Sequence, residues 1–370
     1  MNAFAPRDGD TLTPYFLAQD EQHATDVAQR LAAFIAAAEH SLDFALYDFR
    51  LSDPLFAIVA DALGERAHAG VTIRIAFDGD KPEVPQLAAG MDPAPQGTEQ
   101  YVRALGYPFR RIGGLKLMHN KYVVRDAGQP SAAVWTGSTN FTDDAWEIME
   151  NNIVSIVSPA LAAYYSHDFT DLWNTGEIGV SGAFDTQPVA LRFGGATADT
   201  LVHFSPGRGV EIDAEVARIV ASAQRRVRVC SMLLNSGHFI NALQHVMQAG
   251  RAQVSGIYDR TQMQSVVRQW GDVPHNTWKI SAVEEIVRDA RLVGKNSTPY
   301  SPESTHDFMH NKVMVVDDTV ITGSYNFSNS AEMNAENILV IASPALAETY
   351  SQYTDRLMRK YAGDSVGRLM

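Results

Sequence analysis

Met118-His119-Asn120-Lys121-Tyr122-Val123-Val124-Arg125-Asp126 returns later in the same 370-residue chain as Met309-His310-Asn311-Lys312-Val313-Met314-Val315-Val316-Asp317. Both spell HxKx4D. A glycine-opened GSxN string follows each: Gly137-Ser138-Thr139-Asn140 and Gly323-Ser324-Tyr325-Asn326. Ten residues beyond each Asn stands a Glu-Asn pair, Glu150-Asn151 and Glu336-Asn337. Two copies that agree in residue type, order and spacing mark an internal duplication.

Working outward, Ser158-Pro159-Ala160-Leu161-Ala162 recurs as Ser343-Pro344-Ala345-Leu346-Ala347, 185 positions later. Each half opens with a predicted strand, Pro14–Leu17 and Leu201–Ser205. A helix follows, with Val27, Leu31, Phe34 and Ile35 on one face in the first half and Val216, Ile219 and Val220 in the second. Buried strands come next, Leu42–Tyr47 and Val227–Leu233. The next helices begin near the cap-like Ser52-Asp53-Pro54 and span His238–Ala249, stopping at Gly70 and Gly250. Strands Val71–Phe77 and Val254–Tyr258 then end at acids, Asp78 and Asp259, read as turn residues. Irregular segments lead to the histidines. Beyond them each half predicts strand, turn, strand, strand and a final helix. The expected fold is α/β, in two pseudo-twofold-related halves with mixed, largely buried sheets. The expected boundaries are 1–180 and 199–370, joined by a connector over 181–198 within a Gly- and Thr-rich stretch.

The spacing has a chemical reading. In an extended strand alternate side chains share a face, so His and Lys two apart address one phosphate. Lysine brings a compact charge to the non-bridging oxygens. Ser, Asn and a glycine-opened turn add neutral donors. Two facing histidines supply a nucleophile and a general acid, and a nearby Glu fixes a ring tautomer. Charge stabilisation by lysines and amides needs no metal. His306, Asp307 and His310 make a poor metal cluster, because His310 is already committed, and no cofactor is expected.

This combination resembles the phospholipase D superfamily, whose signature is a pair of HxKx4D motifs. The resemblance runs from about Pro14 to Tyr361, and the run from Gly323 through Ile341 looks like the endonuclease-like, cardiolipin hydrolase-like branch. It implies a covalent phosphohistidine on one His while the other protonates the leaving oxygen. Carried over residue by residue, His119 and His310 become the catalytic pair, with His119 favoured as nucleophile. Lys121, Lys312, Asn140 and Asn326 become phosphate binders, with Ser138 and Ser324 as further donors. Glu150 and Glu336 take the histidine-orienting position, and Asp126 and Asp317 a structural one. Two alignments compete in the first half. Counting forward from Asn140 sets Glu150 opposite Glu336; counting back from Ser158 sets Asn151 there.

Composition bounds the partner. The net charge of −13 disfavours broad coating of nucleic acid or anionic membrane. The stretch Tyr101–Arg125 is locally different: it has no acid, but carries Arg103, Arg110, Arg111, Lys116, Lys121 and Arg125 interleaved with Tyr101, Tyr107 and Phe109. Such a segment can follow a phosphate backbone and stack bases. Trp270 and Trp278 are candidates for the opposite lip. The one cysteine, Cys230, reads as a buried strand thiol. No signal-like order opens the chain and no apolar run reaches membrane-spanning length, so a soluble, cytoplasmic protein is expected. The expected function is a metal-independent, nuclease-like phosphodiesterase on DNA or RNA. The alternatives are a phospholipase D or phosphatidyltransferase, and a non-catalytic binding protein on the same scaffold. A monomer suffices, since one chain holds both half-sites.

Overall fold

The computed structural model describes residues 9–79, 97–364 and 366–369. The signal-sequence reading falls on residues 1–8, outside the described residues, as do residues 80–96 of the irregular run before the first histidine.

The first half contributes β1 (Leu12–Leu17), β2 (Ser41–Leu46), β3 (Phe49–Arg50), β4 (Thr72–Asp78), β5 (Phe109–Ile112), β6 (Lys121–Arg125), β7 (Ala133–Gly137), β8 (Phe141–Thr142) and β9 (Asn151–Val157). The second contributes β10 (Val189–Phe193), β11 (Ala196–Ser205), β12 (Arg226–Ser231), β13 (Gln253–Asp259), β14 (Val293–Lys295), β15 (Lys312–Val316), β16 (Thr319–Gly323) and β17 (Glu336–Ala342). One sheet runs β1-β9-β7-β6-β2-β4-β5 and the other β10-β11-β17-β16-β15-β12-β13-β14. Strand for strand these are the same sheet, with β10 added at the edge. The pairs β2–β4, β4–β5, β12–β13 and β13–β14 are parallel, and the rest of each sheet is antiparallel.

The duplicated elements form for duplicated reasons. The last helices, Pro159–Thr175 and Pro344–Lys360, both carry Pro in the first turn. Ser158 and Ser343 cap them by accepting from Leu161 N and Leu346 N at 3.3 and 3.4 Å. These helices pack into one apolar cluster that draws on both sheets, including Met118, Tyr122 and Val134 from one half and Met309, Val313 and Val320 from the other. The halves therefore share a core.

Three local expectations change. Pro54 is the residue before helix Leu55–His68, with no side-chain cap there; the Ser52 hydroxyl bonds Asp143 instead. The connector stretch carries structure of its own, since β10 pairs antiparallel with β11. Trp270 is buried in the second half's own core, whereas Trp278 is exposed.

Candidate active site

Each histidine lies immediately ahead of a buried strand, His119 before β6 and His310 before β15. Their backbones are anchored by the opposite half. His119 N donates to Ala335 O at 2.8 Å, and His310 N donates to Glu150 O at 3.0 Å. From behind, the acids closing β4 and β13 grip the preceding residue: Met118 N donates to Asp78 Oδ1 at 2.6 Å and Met309 N to Asp259 Oδ2 at 2.9 Å. Asp78 and Asp259 are thus anchors of the histidine strands as well as strand ends.

The rings are also oriented across the junction. His119 Nδ1 lies 2.7 Å from Glu336 Oε2, and His310 Nδ1 lies 3.1 Å from Asn151 Oδ1. Both histidines are buried. Asn151 starts β9 as Glu336 starts β17, so the alignment counted back from Ser158 is the structural one. The expectation that Glu150 orients a histidine is corrected. Its side chain turns away to Lys295 Nζ at 2.5 Å, the Tyr361 hydroxyl and Gln19 N at 3.2 Å. Glu150 occupies the place that Ala335 holds in the other half, and register leaves it no path to the ring.

A reciprocal amide network locks the junction. Asn337 Nδ2 donates to Asn120 Oδ1 at 2.9 Å, and Asn152 Nδ2 donates to Asn311 Oδ1 at 3.0 Å. Asn337 Oδ1 accepts from Thr136 and Tyr165; Asn152 Oδ1 accepts from Thr322 and Tyr350. These amides are fully buried; Asn311 Nδ2 donates to the Tyr353 hydroxyl at 2.8 Å, whereas Asn120 Nδ2 has no partner among the described residues.

Lys121 and Lys312 are buried beside the rings, donating to His119 O at 2.6 Å and His310 O at 2.7 Å. Burial pulls Lys121 down to about 7, against Glu336, Asp48 and Asp78, which favour its charge. Burial and then Lys121 pull Lys312 well below its ordinary range. Burial lowers His119 well below 6.5, helped by Lys121 and Lys312; burial does the same to His310, helped by Lys312 and Lys121. Burial pushes Glu336 up to about 7 against those lysines. The cluster is thus short of counter-charge, which a bound phosphate supplies.

Asn140 and Asn326 each leave Oδ1 buried without a partner among the described residues. That polar capacity suits a ligand; an amide turned by half a rotation presents its NH2 there. The serines are placed differently from expectation. Ser138 Oγ donates to Asn151 Oδ1 at 2.7 Å and accepts from Asn152 N at 3.0 Å, and Ser324 Oγ accepts from Asn337 N at 3.0 Å. Both are fully buried, and both hydroxyls are engaged by the strand that follows. Gly137 and Gly323 are required beside them: at φ 146° and 151°, a Cβ would meet Asn152 O at 2.2 Å and Asn337 O at 2.3 Å.

Asp126 and Asp317 sit at the far ends of β6 and β15. The Asp126 carboxylate accepts from Glu39, His40 and Ser41 N, and Asp317 from Gln224, Arg225 and Arg226 N. Those bonds offset left-handed backbones at φ 52° and 50°.

Sequence reasoning missed Tyr47. Its ring stands edge-on to His119 at 4.5 Å, with Lys121 Nζ 4.8 Å from its centroid. Its counterpart is Met232, placed by the same backbone bond: Tyr47 N to Asn120 O, Met232 N to Asn311 O. The only signal was an aromatic at the end of a predicted strand. The basic approach is also altered. Glu99, just outside the acid-free stretch, pairs with both Arg103 at 2.5 Å and Arg111 at 3.0 Å. Arg125 folds over Phe34 at the far end of its strand.

Comparisons with known proteins find relatives for both halves of the chain. A family profile described as "Cardiolipin synthase, PLD-like domain" matches residues 31–173 and again 216–358. Proteins named phospholipase D from Rickettsia felis and Rickettsia bellii are each 40% identical over 76 residues, 20% of this chain. The match spans about a third, 34%, of those relatives' length. Among solved structures, phosphatidylserine synthase of Haemophilus influenzae Rd KW20 aligns with a TM-score of 0.62 at 13% identity, covering 94% of this chain and 88% of that one. Polyphosphate kinase of Porphyromonas gingivalis aligns at 0.55 and 12%, covering 94% and 47%. At such identities these two show a common fold.

Proposed function

The chain belongs to the PLD-like domain family of the phospholipase D superfamily, and from that premise we propose that it is a metal-independent phosphodiesterase working through a phosphohistidine on His119. The observation that carries this reading is the pair of unequal contacts across the junction: carboxylate to His119, amide to His310.

His119, neutral near pH 7, donates Nδ1–H to Glu336 and keeps the Nε2 lone pair for attack. The Nε2–P bond forms, the P–O bond to the leaving group breaks, and His310 gives its proton to the departing oxygen. The phosphorylated imidazole is cationic, and Glu336 is the charge that steadies it. Asn151 fixes the His310 ring without adding charge, which keeps that imidazolium acidic. A phosphate anion bound between Lys121 and Lys312 offsets their charge and lets His310 hold its proton. In the second step, water or an alcohol passes a proton to His310, attacks phosphorus and frees His119. Asn140 and Asn326 hold the non-bridging oxygens.

For the substrate we take the nuclease-like reading, a nucleic-acid phosphodiester. It is supported by the acid-free run Tyr101–Arg125, in which Arg110 and Lys116 interleave with Tyr107 and Phe109 ahead of His119. Phospholipid headgroup hydrolysis or exchange is the second reading. It is favoured by the names of the relatives and by Leu115, 85% exposed four residues before His119. The test is rapid alkaline denaturing quench with a phosphorus-labelled diester in excess chelator, run side by side on single-stranded DNA, RNA, duplex DNA and phosphatidylcholine vesicles. Label on His119 is expected, from nucleic acid and not from vesicles. Loss of all activity in chelator, or label confined to His310, overturns the mechanism; turnover of vesicles alone overturns the substrate class.

A further inference from the structure

Tyr47 follows β2 as Met232 follows β12, and one register places both: Leu46 lies opposite Lys121, and Ser231 opposite Lys312. Each then bonds the carbonyl between histidine and lysine, Tyr47 N donating to Asn120 O at 2.8 Å and Met232 N to Asn311 O at 3.1 Å. The backbones are equivalent, but the side chains are used differently. Met232 packs against the first half's apolar cluster. Tyr47 is a member of no apolar cluster among the described residues. Its ring meets both active groups of its own half. The His119 ring is 4.5 Å away between centroids, at 61° between planes, and Lys121 Nζ is 4.8 Å from the Tyr47 centroid.

Both contacts are attractive. A steeply tilted ring pair at that separation is favourable, and so is an ammonium over an aromatic face. Their joint effect is geometric. Glu336 holds the His119 ring at one atom, Nδ1, a bond about which the imidazole can still swing. A second ring at its side closes that swing. Lys121 Nζ is tied to the backbone of His119 through its carbonyl at 2.6 Å. The Tyr47 face relates the same ammonium to the imidazole. In-line attack needs a fixed angle between the nucleophile and the oxygens that a lysine grips, and small misplacements of reacting atoms are costly in rate.

We propose that Tyr47 is a positioning residue for phosphoryl transfer. Its ring sets the angle of the His119 imidazole against the Lys121 ammonium, so that Nε2 and the bound phosphorus meet in line. The role rests on the reading of His119 as nucleophile. Binding of the ground state is shared among Lys121, Lys312, Asn140 and Asn326, so loss of the ring falls on rate rather than on affinity.

Bis(p-nitrophenyl) phosphate isolates the step, because p-nitrophenolate departs without an acid as the Nε2–P bond forms and the P–O bond breaks. With the intact protein in excess, a single turnover measures attack, and its dependence on protein concentration measures binding. Tyr47→Met writes the second half's residue into the first. It should lower the limiting rate about tenfold and leave the half-saturating concentration within about twofold of native. Tyr47→Phe should keep most of the native rate, since the ring makes both contacts. Tyr47→Leu takes the place of Tyr47→Met if that variant does not fold. A native limiting rate without the ring, a loss confined to half-saturation, or equal losses in the Phe and Met variants overturns the role. Alkaline quench of the same turnover with phosphorus-labelled diester maps the histidine. Label on His310 of the native chain overturns the nucleophile reading and the role of Tyr47 with it; label on His119 beside any of those three results overturns Tyr47 alone.

Discussion

His119 faces a carboxylate and His310 faces an amide, while the strands, glycine turns, buried lysines and crossed amides around them repeat from one half to the other. Duplication alone would make the two histidines interchangeable. Two kinds of residue make them distinct: the orienting partner, and the groups packed behind the strand that bears it. Behind Glu336 lie Ala335 and Ile112, in an apolar cluster. Behind Asn151 lie Glu150 and Lys295, an ion pair with relative exposures of 0% and 2%. The lesson is that a twofold scaffold can hold geometry constant while charge is changed on one side.

The largest effects test whether the histidines differ at all. His119→Asn and His310→Asn should each lower turnover about 10³-fold or more on an unactivated diester. On a p-nitrophenyl diester, whose leaving group departs unprotonated, His310→Asn should still release a burst of p-nitrophenolate before stalling at water attack, and His119→Asn should release none. Equal bursts would erase the distinction.

Next comes the packing. Removing one member of a buried ion pair strands the other, so Glu150→Ala should cost about 3–5 kcal/mol in denaturant unfolding. Combining it with Lys295→Ile recreates the Ala335 and Ile112 arrangement and should restore at least half of that loss. A double variant no better than the single would show that the first-half solution cannot be transplanted.

Glu336→Gln makes the two orienting contacts alike. It should slow phosphoenzyme formation about 10²-fold while leaving the unfolding midpoint near that of the native chain. Burst kinetics read the first quantity; an unchanged burst rate would strip Glu336 of its assigned part.

The smallest effect is a pH shift. kcat/KM reports the free enzyme, where burial and Lys312 hold the His310 ring well below 6.5. The acid must be protonated to act, so kcat/KM should fall as pH rises through that lowered value. Asn151→Asp adds a negative neighbour, raises the ring's affinity for its proton, and should move the falling limb upward by about one unit. A limb that stays put or moves down would separate His310 from the alkaline titration.

Much of this was legible in the residues. The repeat of Ser-Pro-Ala-Leu-Ala predicted the equivalent helices, and HxKx4D with GSxN predicted which strands and turns frame the centre. Glu150 was only half legible: the count back from Ser158 already set Asn151 opposite Glu336, while the count forward from Asn140 set Glu150 there. The choice is made by the bridge pairing Glu150 with Met309, and Met118 with Ala335, a contact between distant parts of the chain. The serines' partners were illegible for a similar reason: a hydroxyl after Gly looks free until the backbone of the neighbouring strand is present to use it. The basic stretch misled through its edge, since Glu99 lies just before the acid-free run that drew attention.

The crossed asparagines have a consequence for heredity. In an assembly of two identical single-motif chains, each codon is expressed on both sides of the axis. Glu could then never stand opposite one histidine while Asn stands opposite the other, and any change useful to the acid would be imposed on the nucleophile. Joining the halves in one reading frame while Asn120–Asn337 and Asn152–Asn311 keep them registered gives each histidine its own gene segment to vary. Specialisation within the pair becomes open to single point mutations.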